Sequence, residues 1–191
     1  MLKMLCAATA AVFVTAAGAS AGIIVGPVSN PANGHQYYLL DAAGWLASEA
    51  EAQTLGGHLA TINDAAEDDW VYSTFSTYGN VNRQLWIGLN DAGAEGTFVW
   101  SSGDPVSFTH FAPSEPNNSE GGEDYVHFFI PNDFQGRQGT WNDLNEAGIG
   151  ATPFPPQAPY GVVEVVPEPA GLVAGSALAF LVARRRHPRR A

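Results

Sequence analysis

Leu55-Gly56-Gly57-His58-Leu59-Ala60-Thr61-Ile62 changes backbone habit twice in eight residues, and its reading decides the fold. The paired glycines stop a helix. Across residues 41–55, Trp45, Leu46, Ala50 and Ala52 recur at roughly helical spacing, and a glycine just past the last periodic residue is a common helix terminus. Residues 58–62 then read as a short strand or extended link. Immediately afterwards Asp64, with Glu67 three residues on, forms a capping-box-like start. From there Trp70, Val71, Thr74, Phe75 and Tyr78 trace one face of a second helix that ends at Gly79.

Upstream, residues 35–40 are rich in Tyr and Leu and read as the first strand. Downstream of the second helix the helical period disappears. Residues 85–89, 98–100, 124–130 and 160–165 read as short strands separated by long polar loops of Gly, Pro and Asn. The proline-rich run Pro153, Pro155, Pro156 and Pro159 reads as an extended loop before the last strand. Helices early and mixed strands late give an α+β fold, not a regular α/β alternation. A loop of about 20 residues without regular structure is usually functional or disordered. Residues 101–122 form such a loop.

That loop carries Glu115-Pro116-Asn117, and Trp141-Asn142-Asp143 follows downstream, with Glu123-Asp124 between them. Carboxylates and carboxamides are hard oxygen ligands. Calcium takes 6–8 oxygens in flexible geometry, so neither triplet would hold an ion alone, whereas two converging loops would. The carboxamide N–H groups can also meet a hydroxyl.

Charge points the same way. All but one of the chain's 19 acidic residues lie within residues 22–166, against only Arg83 and Arg137. The formal charge of that span is about −16 at neutral pH. Nucleic-acid binding needs a basic footprint, and there is none. The single cysteine, Cys6, lies near the N-terminus, so residues 22–166 have no disulfide and no thiol chemistry. Nothing suggests an enzyme: Gly-x-Ser-x-Gly and His-Glu-x-x-His motifs are absent, and His35, His58, His110 and His127 lack zinc spacing. His58 reads as packing after the first helix, and His110 as a neighbour of the binding loop and a candidate ligand contact. The tryptophans read as core, with Trp141 buttressing Asn142 and Asp143.

Both ends carry targeting features. Residues 1–21 combine Lys3, an apolar run and a small-residue site at Ala19-x-Ala21, the pattern of a cleaved secretory signal. Residues 167–191 place Pro167-Glu168-Pro169 before an apolar stretch and an arginine-rich end. That stretch is short for a span of about 20 residues, and the segment resembles the PEP-CTERM sorting signal of bacterial exported proteins. The resemblance implies an exosortase-type processing enzyme as partner, transient membrane association and a destination at the cell surface or outside the cell.

Between the ends, the order of motifs resembles a C-type lectin domain: Leu55 to Ile62, then Leu85-Trp86-Ile87-Gly88-Leu89, Glu115-Pro116-Asn117, Glu123-Asp124 and Trp141-Asn142-Asp143. The resemblance implies a C-type lectin-like fold over residues 22–166, with two helices, small antiparallel sheets and a long calcium-binding loop. It implies a principal Ca2+ held by Glu115, Asn117, Glu123, Asn142 and Asp143, with two vicinal sugar hydroxyls completing the coordination. Glu115, Asn117, Glu123 and Asn142 would hydrogen-bond those hydroxyls. A Glu-Pro-Asn order goes with mannose-like or fucose-like sugars in such proteins, and Pro116 matches their cis-proline. A possible second Ca2+ would use Asp91, Glu95, Asn118 and Asp124. The family's two disulfides are missing, because Ala52, Val163, Tyr125 and Glu146 stand where its cysteines fall. A non-carbohydrate surface or matrix interaction role on the same fold is the alternative.

Overall fold

The computed structural model describes residues 21–148 and 158–168. The expected export signal, the greater part of the sorting segment and most of the proline-rich run lie outside the described residues.

The chain opens with a strand pair, β1 (Ile23–Ser29) and β2 (Gln36–Ala42), joined antiparallel. β2 is the strand anticipated at residues 35–40. β1 was not anticipated. Gly26-Pro27 interrupts its apolar run, and the peptide between them is cis. Its register slips on both sides of Val25. β1 lies at the edge of the sheet, the place where a proline's missing N–H is tolerated.

Helix α1 (Trp45–Thr54) starts later than expected, since Asp41 and Ala42 belong to β2. Its glycine stop is as expected. Gly56 sits at φ +84°, its N–H donates to Gln53 O (3.1 Å), and the Gly57 N–H donates to Ala52 O (3.1 Å). These two bonds close a Schellman turn. Strand β3 (His58–Leu59) follows. At the start of α2 (Ala65–Phe75), one Asp64 carboxylate oxygen accepts from the N–H groups of Ala66 and Glu67, both at 2.9 Å. The Glu67 carboxylate reaches one residue beyond the usual capping box, to the Asn63 N–H (2.8 Å). Val71 and Phe75 are fully buried, as the periodicity requires. The helix ends at Phe75 rather than Gly79, and a 3-10 turn at Tyr78–Asn80 leaves Tyr78 41% exposed.

The remaining strands are β4 (Leu85–Asn90), β5 (Val99–Trp100), β6 (Tyr125–Phe128), β7 (Trp141–Leu144) and β8 (Tyr160–Val165). They join one hydrogen-bonded sheet in the order β1-β2-β8-β4-β6-β7, with β3 on β8 and β5 on β4. All pairings are antiparallel except β4 with β8. The C-terminal strand thus sits between the two halves of the sheet.

Every residue of β4 up to Leu89 is buried. Leu85, Ile87 and Leu89 face one cluster with Val71 and Phe75 of α2, Val126, Phe128 and Trp141. Trp86 faces the other way, with Trp45, Leu59, Tyr125 and Leu144. Period-two alternation between two apolar surfaces is the signature of a central strand. At Gly88 a Cβ would lie 2.5 Å from Leu59 O and 2.8 Å from Ser101 Oγ. The residue must therefore be glycine for β3 and β5 to close over β4.

The positions matching the family's cysteines are filled by packing. Ala52 of α1 and Val163 of β8 are fully buried in one cluster with Leu40. Tyr125 lies with its ring centroid 4.7 Å from that of Trp45. The Glu146 carbonyl accepts from the Trp45 N–H (2.9 Å) and so ties the chain after β7 to the start of α1.

Candidate functional site

β4 and β6 end side by side, and the loops that leave them carry the acidic residues. The Asp91 N–H donates to Asp124 O (3.0 Å), fixing these two residues at the strand ends. Asp91 Oδ2 accepts from the Gly96 N–H (2.7 Å) and folds the turn that presents Glu95.

Asp143 holds the long loop. It is 1% exposed on β7, and its two carboxylate oxygens accept from the N–H groups of Asn117 (3.1 Å) and Asn118 (2.7 Å). The Glu115-Pro116 peptide before these residues is cis, as the resemblance implied. Asn118, at φ 43°, bridges outward: its Nδ2 donates to Glu95, and its Oδ1 accepts from the Glu123 N–H (3.1 Å). Glu123 in turn accepts from the Ser119 N–H (2.8 Å). These bonds gather Glu95, Asn117, Asn118, Glu123 and Asp143 into one assembly, with Asp91 and Asp124 at its base.

The electrostatics are those of a concentrated negative site. The Glu115 carboxyl is raised above the usual range by burial and by Asp143, partly offset by Arg137. Glu95, though exposed, is raised by local desolvation and by Asp91, Asp124 and Asp143. Among buried side-chain atoms of the described residues, Glu115 Oε2 and Asp91 Oδ1 have no hydrogen-bond partner. Buried polar atoms are ordinarily satisfied, and an unpaired carboxylate oxygen away from water is costly. A hard divalent cation satisfies such oxygens. Glu115 and Asp91 thus each present one carboxylate oxygen that a hard cation could satisfy, while the Asp143 and Glu123 carboxylates accept from backbone N–H groups.

Asn142 stands apart. Its Nδ2 contacts His127 Nε2 (3.2 Å) and donates to Asp143 O (2.5 Å). His127 pairs with Asn142 across β6 and β7 and is fully buried. Burial pushes its pKa down to about 4. The sequence offered no spacing signal for His127, since its role depends on a cross-strand pairing with β7, which was read as a motif rather than a strand.

His110, the candidate ligand contact, pairs through Nδ1 with Asp68 Oδ2 on α2 (2.7 Å). Trp141 is fully buried and donates its indole N–H to Asp68 Oδ1 (2.8 Å), so it buttresses the Asn142-Asp143 pair from the core as expected. His58, at the start of β3, bonds the Glu49 carboxylate of α1 through Nδ1 (2.6 Å). The turn before β7 is braced by Arg137, which pairs with Asp133 (3.0 Å) and lies 3.9 Å over the Phe129 ring.

Among the described residues, three His, Asp or Glu ligand atoms converge on other elements and not among the acidic loop residues. His35, Glu67 and Glu164 bring ligand atoms within 4.8 Å of one another. They are knit together already: His35 to Glu164 (2.5 Å), Tyr37 to Glu67 (2.5 Å) and Tyr37 to Glu164 (3.0 Å). Burial raises both the Tyr37 hydroxyl and the Glu164 carboxyl. This cluster ties α2 to β2 and β8.

Comparison with known proteins agrees with the geometry. The Lectin C-type domain profile matches residues 42–147, more than half of the chain. Lectin BRA-3 of Megabalanus rosa is 40% identical over 78 residues, which are 40% of this chain and 45% of that protein. The low affinity immunoglobulin epsilon Fc receptor of Mus musculus is 34% identical over 99 residues, 52% of this chain but only 26% of the receptor. The chain thus spans less than half the length of either relative. Among solved structures, the C-type lectin CEL-I from Cucumaria echinata superposes with a TM-score of 0.55 at 29% identity, covering 69% of this chain and 90% of that one. The chain belongs to the C-type lectin domain family.

Proposed function

We propose that this protein is an exported, calcium-dependent carbohydrate-binding protein of mannose type, acting at the cell surface or in extracellular polysaccharide. One observation carries the reading: Glu115 Oε2 is buried without a partner beside the Asp143 carboxylate that clamps the Asn117-Asn118 backbone. Glu115, Asn117, Glu123, Asn142 and Asp143 would hold the principal ion, and Asp91, Glu95, Asn118 and Asp124 a second. When bound, calcium supplies coordination positions for two vicinal hydroxyls. Glu115, Asn117, Glu123 and Asn142 would orient the sugar by hydrogen-bonding those hydroxyls, the carboxylates accepting and the carboxamides donating. The Glu115-Pro116-Asn117 order favours mannose-like or fucose-like residues, and the lectin relatives support a carbohydrate ligand. No catalytic role is proposed for the carboxylates, which serve as ligands.

The two ends support export: a secretory signal at residues 1–21, and at residues 167–191 a sorting segment with transient membrane association and an exosortase-type enzyme as processing partner. A single open sugar site is wet and of modest affinity, so retention on polysaccharide would rest on multivalency.

The test is retention on immobilised mannose in millimolar calcium, the range of extracellular calcium modules, followed by chelator. Retention and release support the reading. Flow-through of a protein shown separately to bind calcium would refute the mannose assignment. A second reading, a protein-binding surface on the same fold, is favoured by the match to an immunoglobulin receptor. Glu115→Gln with Asn117→Asp separates the two. Sugar preference should be lost or switched with calcium uptake retained, whereas a protein-binding surface would keep its partner unchanged.

A further inference from the structure

We propose that the turn between β6 and β7 is a second sugar subsite, in which the Phe134 ring stacks on the sugar next to the one held at the ion. The ligand is then a neutral glycan of at least two linked sugars, not a single ring. The inference rests on the calcium-site reading above and adds to it the length and charge of the glycan.

Phe134 is 79% exposed, more than any other large apolar side chain of the described residues. A lone exposed apolar residue is ordinary, but this one is mounted on a braced turn. Asp133 Oδ2 accepts from the N–H groups of Gln135 (3.0 Å) and Arg137 (3.2 Å). The Arg137 guanidinium closes a fork on the same carboxylate, at 3.1 Å through Nε and 3.0 Å through Nη2, and lies over the Phe129 ring. The Gly136 N–H donates to Asp133 O (3.0 Å) from a left-handed φ of +74° that favours glycine. Bonds on both sides of Phe134 thus hold its backbone in place. An aromatic ring presented in this way binds with little further ordering cost.

The surroundings of the ring select the ligand chemistry. Asn132, Gln135 and Gln138 are the exposed polar neighbours, and carboxamides both donate to and accept from hydroxyls. Asp133 and Arg137 neutralise each other, so the tip is uncharged although residues 22–166 are strongly acidic. An apolar ring face among uncharged donors and acceptors matches a pyranose, which has an apolar C–H face and a hydroxyl edge. An anionic glycan would be repelled by the acidic domain. The turn also stands beside the ion loop. Trp141, where the chain returns to β7, accepts through its carbonyl from the Ala112 N–H (2.9 Å), and Ala112 O accepts from the Glu115 N–H (3.0 Å). Arg137 is close enough to offset part of the upward shift that burial and Asp143 impose on the Glu115 carboxyl. A glycan with one ring at Glu115 and Asn117 that runs toward Arg137 meets Phe134 next.

Isothermal titration of the calcium-loaded wild type, Phe134→Ala and Phe134→Tyr compares methyl α-mannoside with α-linked methyl mannobiosides covering the possible linkages. Aromatic stacking adds a few-fold to affinity, so the wild type should bind at least one bioside about 3–10-fold more tightly than the monosaccharide. Phe134→Ala should lose that advantage, with thermal unfolding as in the wild type because the side chain is exposed. Phe134→Tyr keeps the ring and should keep the advantage. A wild type that prefers no bioside overturns the subsite. An advantage that survives in Phe134→Ala also overturns it and leaves the ring to a protein partner. In both cases calcium-dependent binding of methyl α-mannoside leaves the ion-site reading standing. Wild-type protein that binds no mannoside in calcium overturns that reading, and this inference with it.

Discussion

Ala52→Cys with Val163→Cys should produce a cross-link that stabilises the protein by about 3 kcal/mol. Both positions are fully buried in one cluster between α1 and β8, and both match family cysteines in the sequence. Residues 22–166 contain no other cysteine, so the pair would form without competition there. The bridge would close a loop of roughly 110 residues, for which the chain-entropy model gives about 4.7 kcal/mol. Against this, Val163→Cys removes buried apolar volume, costing about 0.5–1.5 kcal/mol as small truncations do. The reduced variant should thus unfold slightly more easily than wild type and the oxidised variant distinctly less easily. At a few degrees per kcal/mol for a domain of this size, the melting temperature should rise by about 10 °C on oxidation. Denaturation of both redox forms, with thiol titration to score the bridge, measures this directly. Thiols that stay reactive under oxidation, or an oxidised form less stable than the reduced one, would refute the placement of α1 against β8.

Three further outcomes are expected. Trp141→Phe removes the indole donor from the buried Asp68 carboxylate and leaves a cavity among the aromatic rings. A hydrogen bond to a charged group contributes about 1.5–3 kcal/mol and the lost volume adds to that, so denaturant unfolding should show a loss of about 3–4 kcal/mol. Burial holds the Asp68 carboxyl above its ordinary 3.8 despite His110 and Trp141. Between those two values the folded chain keeps a proton that the unfolded chain has lost, so this group's contribution to stability falls as pH rises through the window. Asp68→Asn still accepts from Trp141 but does not titrate, and the wild type should lose ground to it from pH 4 upward; the opposite slope would contradict the burial. Asp143→Ala frees the Asn117 and Asn118 N–H groups, and amide exchange at those two residues in chelator should accelerate by at least an order of magnitude, about 1.4 kcal/mol of lost protection.

Much of this was legible in the sequence for local reasons. Gly56-Gly57, Asp64 and Glu67 act within a turn of their own position, so both helices could be placed from spacing. β4 showed itself as an unbroken apolar run because both its faces are buried. The acidic loop residues stood out in the sequence as closely spaced motifs, and the structure ties Glu95, Asn117, Asn118, Glu123 and Asp143 together by hydrogen bonds. What was hidden depends on partners far along the chain. β1 is masked by Gly26-Pro27, which only an edge position tolerates. The parallel seam of β4 with β8 joins Trp86 to Gly161, and no local pattern records it. His127 gains its meaning only when β6 and β7 pair in register. The pairing of His110 with Asp68 was hidden for the same reason, since the two lie 42 residues apart.

The central claim is that these loops bind sugar through calcium. Isothermal titration of methyl α-mannoside into the calcium-loaded protein, and into the same protein after chelation, tests it most directly. Saturable binding in calcium that vanishes with chelator is the predicted result. Equal binding in both states, or none in a protein independently shown to be calcium-loaded, would contradict it.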